Sequence, residues 1–203
     1  MSIQPYTEDQ ADALQEVANI AMGQAGDSLA RILDNFVTLS VPRIRQIEVK
    51  ELADTVTAMV GEEDVSAVRQ AFYNALRGEA IVIFTQSGAD ELAELLGYDC
   101  ELDAAIEQEL LLEVGNLLVG AILNGISDTL GTELGFSAPS LMAEHTPLRQ
   151  VLAPDRLTWE QALLVEVNFS VEKHRFKSHL LMFMTEETIE TLRHILDDFM
   201  DGL

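Results

Sequence analysis

The order of apolar and polar residues predicts a long helix followed by strands in the first half of the chain. Apolar residues at helical spacing indicate a helix from Thr7 to about Phe36. A capping box opens it, with Thr7 accepting from the backbone N–H of Gln10 and Gln10 reaching back. A hairpin is predicted around Arg77-Gly78, and the continuous apolar run from Ile81 to Phe84 is typical of a central strand. The predicted elements after the first helix are extended chain at 37–41, a strand at 43–49, a short helix at 50–54, strands at 65–76 and 79–85, and a helix at 87–96.

The second half repeats this order of elements. A helix is predicted from about Asp103 to Thr129, and the residues from Gly131 to Pro139 make a turn into extended chain. A second hairpin and a last helix follow, predicted at 161–171, 177–184 and 185–199, with a basic turn at 173–175. The stretches 56–60 and 141–154 show no clear period and stay unassigned.

One spacing of polar residues stands out in the predicted first helix, Asp12-x-x-x-Glu16-x-x-Asn19. Gly23 lies one turn beyond the asparagine, and 22 residues separate Asn19 from Pro42. The same arrangement returns 97 positions later, as Glu109, Glu113, Asn116, Gly120 and Pro139. A fixed offset that matches Glu, Asn, Gly and Pro together is improbable at the average usage of these residues. The repeat therefore indicates an internal duplication.

Helical geometry places the repeated polar residues on one face of each helix. At about 100° per residue, the other members of the first copy lie within about 60° of Glu16. The opposite face is predicted to be buried, as is usual for an amphipathic helix. That face consists of Leu14, Val17, Ala18, Ala21, Ala25 and Leu29 in the first helix, and of Leu111, Val114, Leu118 and Ile122 in the second. Leu110 and Leu117 border the second polar face, where we expect them to leave apolar surface for a partner.

A merely solvated helix face would also expose glutamate and asparagine. Such a face needs no fixed spacing between Glu and Asn, however, and no fixed distance to a proline. Because both spacings occur twice, we interpret the polar face as a functional surface.

Composition narrows the classes of partner. The 203 residues carry 35 acidic and 12 basic side chains, for a net charge of −23, which disfavours nucleic acid and anionic membranes as partners. No run of about 18 apolar residues occurs, the N-terminus lacks the features of a signal peptide, and the single Cys100 cannot form an internal disulfide. We therefore expect a cytoplasmic protein. The acidic surface is also able to steer a partner with a basic face.

Other kinds of site are not predicted. No Cys or carboxylate stands at a metal-binding spacing from the four histidines, so no metal site is expected. The glycines at 115, 120 and 125 lack the Lys and Ser/Thr of a P-loop and are attributed to helix packing. No serine lies in a G-x-S-x-G turn.

The duplicated motif resembles the signature of the CheC/CheX/FliY phosphatases, which dephosphorylate the chemotaxis response regulator CheY. Two intact copies in about 200 residues look most like the stand-alone CheC members. One departure is Glu109, where the first copy has Asp12; its longer side chain changes the fine geometry expected at the second site. The resemblance extends over most of the chain, from about Thr7 to Phe199.

Pattern and resemblance imply the same fold. We expect an α+β fold with pseudo-two-fold symmetry, in which an antiparallel β-sheet forms the core and the two long motif-bearing helices pack on it. We expect a single domain made of two pseudo-repeats, at about 7–98 and 103–199.

The resemblance also implies roles for the repeated residues. A phosphorylated response regulator supplies its own Mg²⁺ and lysine, so this chain needs no bound cofactor and has only to place water for in-line attack. A carboxamide suits that task, because it offers both an acceptor and donors, and we assign the task to Asn19 and Asn116. Glu16 and Glu113 would pair with the lysine of the regulator.

The remaining repeated residues are predicted to support the site. Asp12 and Glu109 precede the glutamates by one turn, and Pro42 and Pro139 end the motifs. Gly23 and Gly120 would let the backbone of a partner approach the helix, or would instead serve helix packing.

Two alternatives stay open. One is a non-enzymatic interaction module of the FliM flagellar-switch type, which shares the fold but lacks the paired Glu and Asn. The other is a regulator that binds the receptor deamidase CheD, a role that is compatible with catalysis.

Overall fold

A computed structural model describes residues 6–33, 37–40, 43–85, 103–153, 155, 161–171 and 178–201 of the chain. The helices in these ranges are α1 (Glu8–Leu33), α2 (Val49–Val60), α3 (Ala104–Leu130), α4 (Leu148–Val151) and α5 (Glu186–Asp201). The strands are β1 (Val37–Leu39), β2 (Arg43–Glu48), β3 (Asp64–Asn74), β4 (Gly78–Thr85), β5 (Leu134–Phe136), β6 (Ser140–Pro147), β7 (Gln161–Val171) and β8 (Ser178–Met184).

The sheet has the same strand order when it is traced from either edge. Its main path is β1-β7-β8-β4-β3-β5, with β2 paired to β7 and β6 paired to β3, and these pairings are antiparallel. Exchanging each of the strands β1 to β4 with the strand four places later in the chain gives the same order, read from the opposite edge. At the edges of the sheet, Val37 of β1 pairs with Val171 of β7, and moving these two residues by 97 positions gives Leu134 of β5 and Asn74 of β3, which are also paired. The predicted α+β fold with a pseudo-two-fold duplication is confirmed.

Both faces of the sheet are covered. Residues from α1, α3 and α5 form one buried cluster with one face, and residues from α2 and α4 form a second cluster with the other. Strand β4 contributes Val82 and Phe84 to the first cluster, and Ile81 and Ile83 to the second. A strand that is buried on both faces has no polar alternation. The prediction of a central strand from this apolar run is therefore confirmed.

Local signals define the ends of the motif helices. The backbone N–H of Gln10 donates to Thr7 Oγ1 and the backbone N–H of Thr7 donates to Gln10 Oε1, both at 3.2 Å, as the capping box predicts. Asp103 caps α3 by accepting from the N–H of Ile106 at 2.9 Å, and Gly131 ends it in the left-handed conformation with φ of 60°.

The helix predicted at 50–54 is longer in the structure, where α2 continues to Val60. Its β-branched residues weaken the local helix signal. Burial of Val49, Leu52 and Val56 on one helical face outweighs that propensity. The unassigned stretch 141–154 contains most of β6 and the single turn α4.

Several predictions fall outside the described residues. These are the helix at 87–96, Cys100, the basic turn at 173–175 and Pro42. The boundaries of the two pseudo-repeats stay a prediction.

Within the described ranges, α3 is the helix that is long and apolar enough to cross a membrane. In the fold, 56% of its most apolar window is buried. Core helices of folded domains share this property, so the helix is weak evidence for a membrane span.

Candidate functional site

The polar face predicted for α1 is exposed. Asp12, Glu16, Asn19 and Gly23 all lie at the surface. The residues predicted for the opposite face are buried, with exposed fractions of 7% or less: Leu14, Val17, Ala18, Ala21, Ala25 and Leu29. The first copy of the motif therefore presents its polar side chains to solvent, where a partner has access to them.

Helix α3 presents the second copy in the same way. Glu109, Glu113 and Asn116 are exposed, and the residues predicted for its buried face are buried. The prediction for Leu110 was wrong, because only 3% of this residue is exposed. Helix α3 is enclosed by α1, α5 and strands β3 to β6, so its buried arc is wider than the sequence pattern suggests. Leu117 is partly buried at the edge of the polar face.

In the second half the motif residues line one cleft. Glu109, Glu113, Asn116 and Pro139 border a space of about 420 Å³, together with Leu112 and two neighbours on α3. After β5 the chain passes close to Asn116 again, so the 22-residue spacing between Asn116 and Pro139 places both residues at the same cleft. Four of the residues singled out by the repeat are thus brought together around one surface depression.

Asn116 is held in place from the sheet. Gln70, on β3, donates from Nε2 to Asn116 Oδ1 at 2.9 Å and to the main-chain oxygen of Ser137 at 2.6 Å. Ser137 is itself fixed to the same strand, since its backbone N–H donates to the oxygen of Ala71 at 2.9 Å. The exposed motif asparagine is therefore tied to a buried glutamine and to the loop that leads to Pro139.

This network fixes the orientation of both amides. A main-chain carbonyl oxygen can only accept, so the atom of Gln70 that faces Ser137 must be the nitrogen. The atom of Asn116 that faces the same nitrogen must then be its oxygen. Among the described residues, this leaves both N–H donors of Asn116 Nδ2 and the second lone pair of its Oδ1 for other partners.

The buried side chain of Gln70 is expected to lower the stability of the fold. It is 1% exposed, and its Oε1 has no hydrogen-bond partner among the described residues. An unsatisfied buried acceptor costs about 1 to 3 kcal/mol of stability. Sequence reasoning missed Gln70. The signal that could have found it is a polar residue between two core residues, since Val68 and Phe72 lie on the same face of β3 and are buried.

The first half has a different arrangement around its asparagine. Asn19 Oδ1 accepts from Nε2 of Gln15, one turn earlier on α1, at 3.2 Å. Asn19 and Gly23 border a cleft of about 590 Å³ between α1 and β1, which reaches Ser40. Both asparagines therefore receive an amide hydrogen bond, from the same helix in one half and from the sheet in the other.

The two motif glycines differ. Gly23 is exposed, and a Cβ there would meet no atom within 4 Å. Gly120 is buried, and a Cβ there would lie 3.5 Å from the ring of Phe136 on β5. Open space for an approaching partner thus exists at Gly23, whereas Gly120 packs against the sheet.

Within the described part of the chain, the motif carboxylates lie outside the ion pairs. Asp12, Glu16, Glu109 and Glu113 form no ion pair with any residue that the structure describes. No group of three or more potential metal ligands occurs in the same part of the chain. The carboxylates are therefore available to a cation that a partner brings.

Comparisons with known proteins show which family this chain resembles. The model of the CheC-like family matches residues 10–44, which contain the first copy of the motif. The chain is 25% identical to "CheY-P phosphatase CheC" of Bacillus subtilis over 197 residues, which is 91% of this chain and 92% of that protein. The predicted resemblance to the CheC-like family is confirmed. The chain is also 22% identical to the flagellar motor switch phosphatase FliY of B. subtilis over 84% of its length, but spans only 44% of that protein.

Solved structures support the CheC-like fold. Thermotoga maritima FliY matches with a TM-score of 0.74 at 19% identity, covering 97% of this chain and 100% of that one. The middle domain of Helicobacter pylori FliM matches with a TM-score of 0.63 at 12% identity, covering 94% and 99%. At these identities the likeness shows the fold alone.

Proposed function

We propose that this chain is a CheY-P phosphatase, which hydrolyses the aspartyl phosphate of a CheY-type response regulator. Its likeness to the B. subtilis phosphatases CheC and FliY supports the activity. The observation that carries the site assignment is the fixed amide of Asn116, exposed at a cleft beside Glu113 and Pro139. A preset amide on an accessible surface suits a reaction whose reactive phosphoryl group arrives on another protein.

In the proposed mechanism, Asn19 and Asn116 position the attacking water. Hydrolysis of an aspartyl phosphate requires a water oxygen in line with the bond from phosphorus to the aspartate. At Asn116, the free lone pair of Oδ1 accepts from that water, while Nδ2 donates to the water or to the phosphoryl oxygens. Holding the water in this orientation lowers the entropic part of the barrier.

Glu16 and Glu113 dock the regulator in this proposal. Each lies about one helical turn before its asparagine, is exposed and lacks an ion-pair partner in the described ranges. Each would pair with the active-site lysine of the regulator. The regulator would also supply Mg²⁺, which would neutralise charge on the phosphoryl oxygens, so the role left to this chain is positioning.

The activity is tested by following phosphate release from a phosphorylated CheY-type regulator in the presence of Mg²⁺. Substoichiometric amounts of this chain should accelerate release in proportion to the amount added. A release rate equal to that of the regulator alone would contradict the proposal.

The docking role predicts a charge effect. The double variant Glu16→Lys/Glu113→Lys should bind a phosphorylated regulator roughly tenfold more weakly, because it sets like charges against the lysine of the partner. Glu62→Lys/Glu63→Lys is the matched control, since both residues are exposed in the loop between α2 and β3 and the net charge changes by the same amount. Equal affinities for the double variant and the wild type would show that the motif face does not dock the regulator.

The acidic surface predicts a salt effect. If a net charge of −23 steers a partner with a basic face, the association rate should fall as salt rises from about 50 to 500 mM, because ions screen the field. Stopped-flow association at several salt concentrations measures this. A rate that does not change with salt would remove steering without affecting the assignment of the site.

A non-enzymatic switch module of the FliM type is the second candidate. The middle domain of FliM shares this fold, so the fold alone does not separate the two candidates. The same phosphate-release assay separates the two candidates, because only a phosphatase turns over. Binding to CheD and a cytoplasmic location stay predictions.

A further inference from the structure

We infer that Gln70 is a positioning residue that presets Asn116 for catalysis, so that the two halves of the molecule prepare their asparagines by different means. This inference rests on the proposed function. It adds a residue outside the duplicated motif and gives it a task at one site only.

The geometry at Gln70 leaves its amide little freedom. Its side chain is 1% exposed, and Nε2 uses its two hydrogens on Asn116 Oδ1 and on the oxygen of Ser137. The second bond prevents the amide from flipping, since a flip would set Oε1 against a carbonyl oxygen. A donor that cannot turn holds the acceptor that faces it, so Asn116 is oriented before a regulator docks.

The first half has no such donor at the related position. A shift of 97 residues relates Gln70 to Val167 on β7, and a valine side chain cannot donate a hydrogen bond. Gln15, which donates to Asn19, is in turn related to Leu112, which cannot donate either. Both halves thus contain the motif asparagine, but the glutamines that donate to them lie on different elements, Gln15 on α1 and Gln70 on β3.

Because different residues hold the two asparagines, loss of the Gln70 donor should lower the activity of the second site alone. Asn116 starts from one orientation, so docking a regulator restricts little further freedom of this side chain. If Gln70 no longer donates, Asn116 must be ordered during the reaction, which should lower kcat at the second site by roughly threefold to tenfold. KM should stay the same, because the docking carboxylate Glu113 is unaffected.

The test places Gln70→Met in two backgrounds. Met matches the length of Gln but has no donor, and it suits a buried site. In Asn19→Ala, where only the second site works, Gln70→Met should lower kcat and leave KM unchanged. In Asn116→Ala, where only the first site works, it should leave the rate unchanged. Equal losses in both backgrounds, or no loss in the first, would overturn the inference.

A second readout is independent of activity. The side-chain NH2 group of Asn116 should gain mobility in Gln70→Met by NMR relaxation, while that of Asn19 should not. If Gln70→Met does not fold, Gln70→Val is used instead, because valine already occupies the related position on β7. An unchanged Asn116 signal would overturn the inference even in an active phosphatase. A mobile Asn116 without any phosphate release by the wild type would contradict the proposed function alone.

Discussion

Gly125→Ala is expected to lower the free energy of unfolding by roughly 2 to 3 kcal/mol. Gly125 lies where α3 crosses α1, and a Cβ built there would lie 2.6 Å from the main-chain oxygen of Ala21 and 3.0 Å from its Cα. These atoms belong to a helix backbone, so they cannot move aside as a flexible side chain can. The two motif helices would have to separate, which opens gaps in the core around Ala21.

Gly23→Ala is the matched control for this prediction. The same methyl group enters the same type of element, but at an exposed position with no atom within 4 Å. Since alanine has the higher helix propensity, stability should rise by up to about 1 kcal/mol. Denaturant unfolding of both variants measures the difference. Equal stability of Gly125→Ala and the wild type would show that the crossing of α1 and α3 is not closely packed.

The sequence predicted the fold because its main signals are periodic. Buried positions of α1 such as Ala21 and Leu29 follow from helical spacing, and the hairpin around Arg77-Gly78 follows from turn chemistry between two apolar runs. The duplication added the pseudo-two-fold symmetry. In the structure, both outer edges of each hairpin pair with strands of the other half: β4 with β8, β3 with β5 and β6, and β7 with β1 and β2. The exposure of Glu16 and Asn19 follows from the same helical spacing.

The missed features depend on contacts between distant parts of the chain. Gln70 and Asn116 are 46 residues apart, and only the packing of α3 on β3 brings them within hydrogen-bond distance. Leu110 is buried because several elements enclose α3, which the pattern of one helix cannot show. The full length of α2 likewise depends on burial against the second face of the sheet.

Replacing both asparagines is expected to abolish most of the phosphatase activity. In Asn19→Ala/Asn116→Ala, neither half retains an amide that orients the attacking water. Loss of one such preorganised contact commonly costs roughly a hundredfold to a thousandfold in rate. Each single variant should keep the activity of its other half, and comparison of the two shows whether the copy with Glu109 is the weaker one.

The effect on stability should be small and unequal. Asn19 is exposed, and among the described residues its hydrogen bond is to a side chain of its own helix, so its loss should change stability by no more than roughly 0.5 kcal/mol. Asn116→Ala removes an acceptor from the buried amide of Gln70 and should cost about 1 kcal/mol. Asn116→Asp is a control for folding, because a carboxylate oxygen can still accept from Gln70 while the NH2 donors are lost.

The most direct test of the account is the decay of the phosphorylated regulator with the wild type, each single variant and the double variant at equal concentrations of folded protein. Circular dichroism and denaturant unfolding establish that each variant is folded. We predict substantial activity for both single variants and a loss of roughly a hundredfold or more for the double variant. Turnover by Asn19→Ala/Asn116→Ala at the wild-type rate would contradict the assignment of these asparagines as the groups that position water.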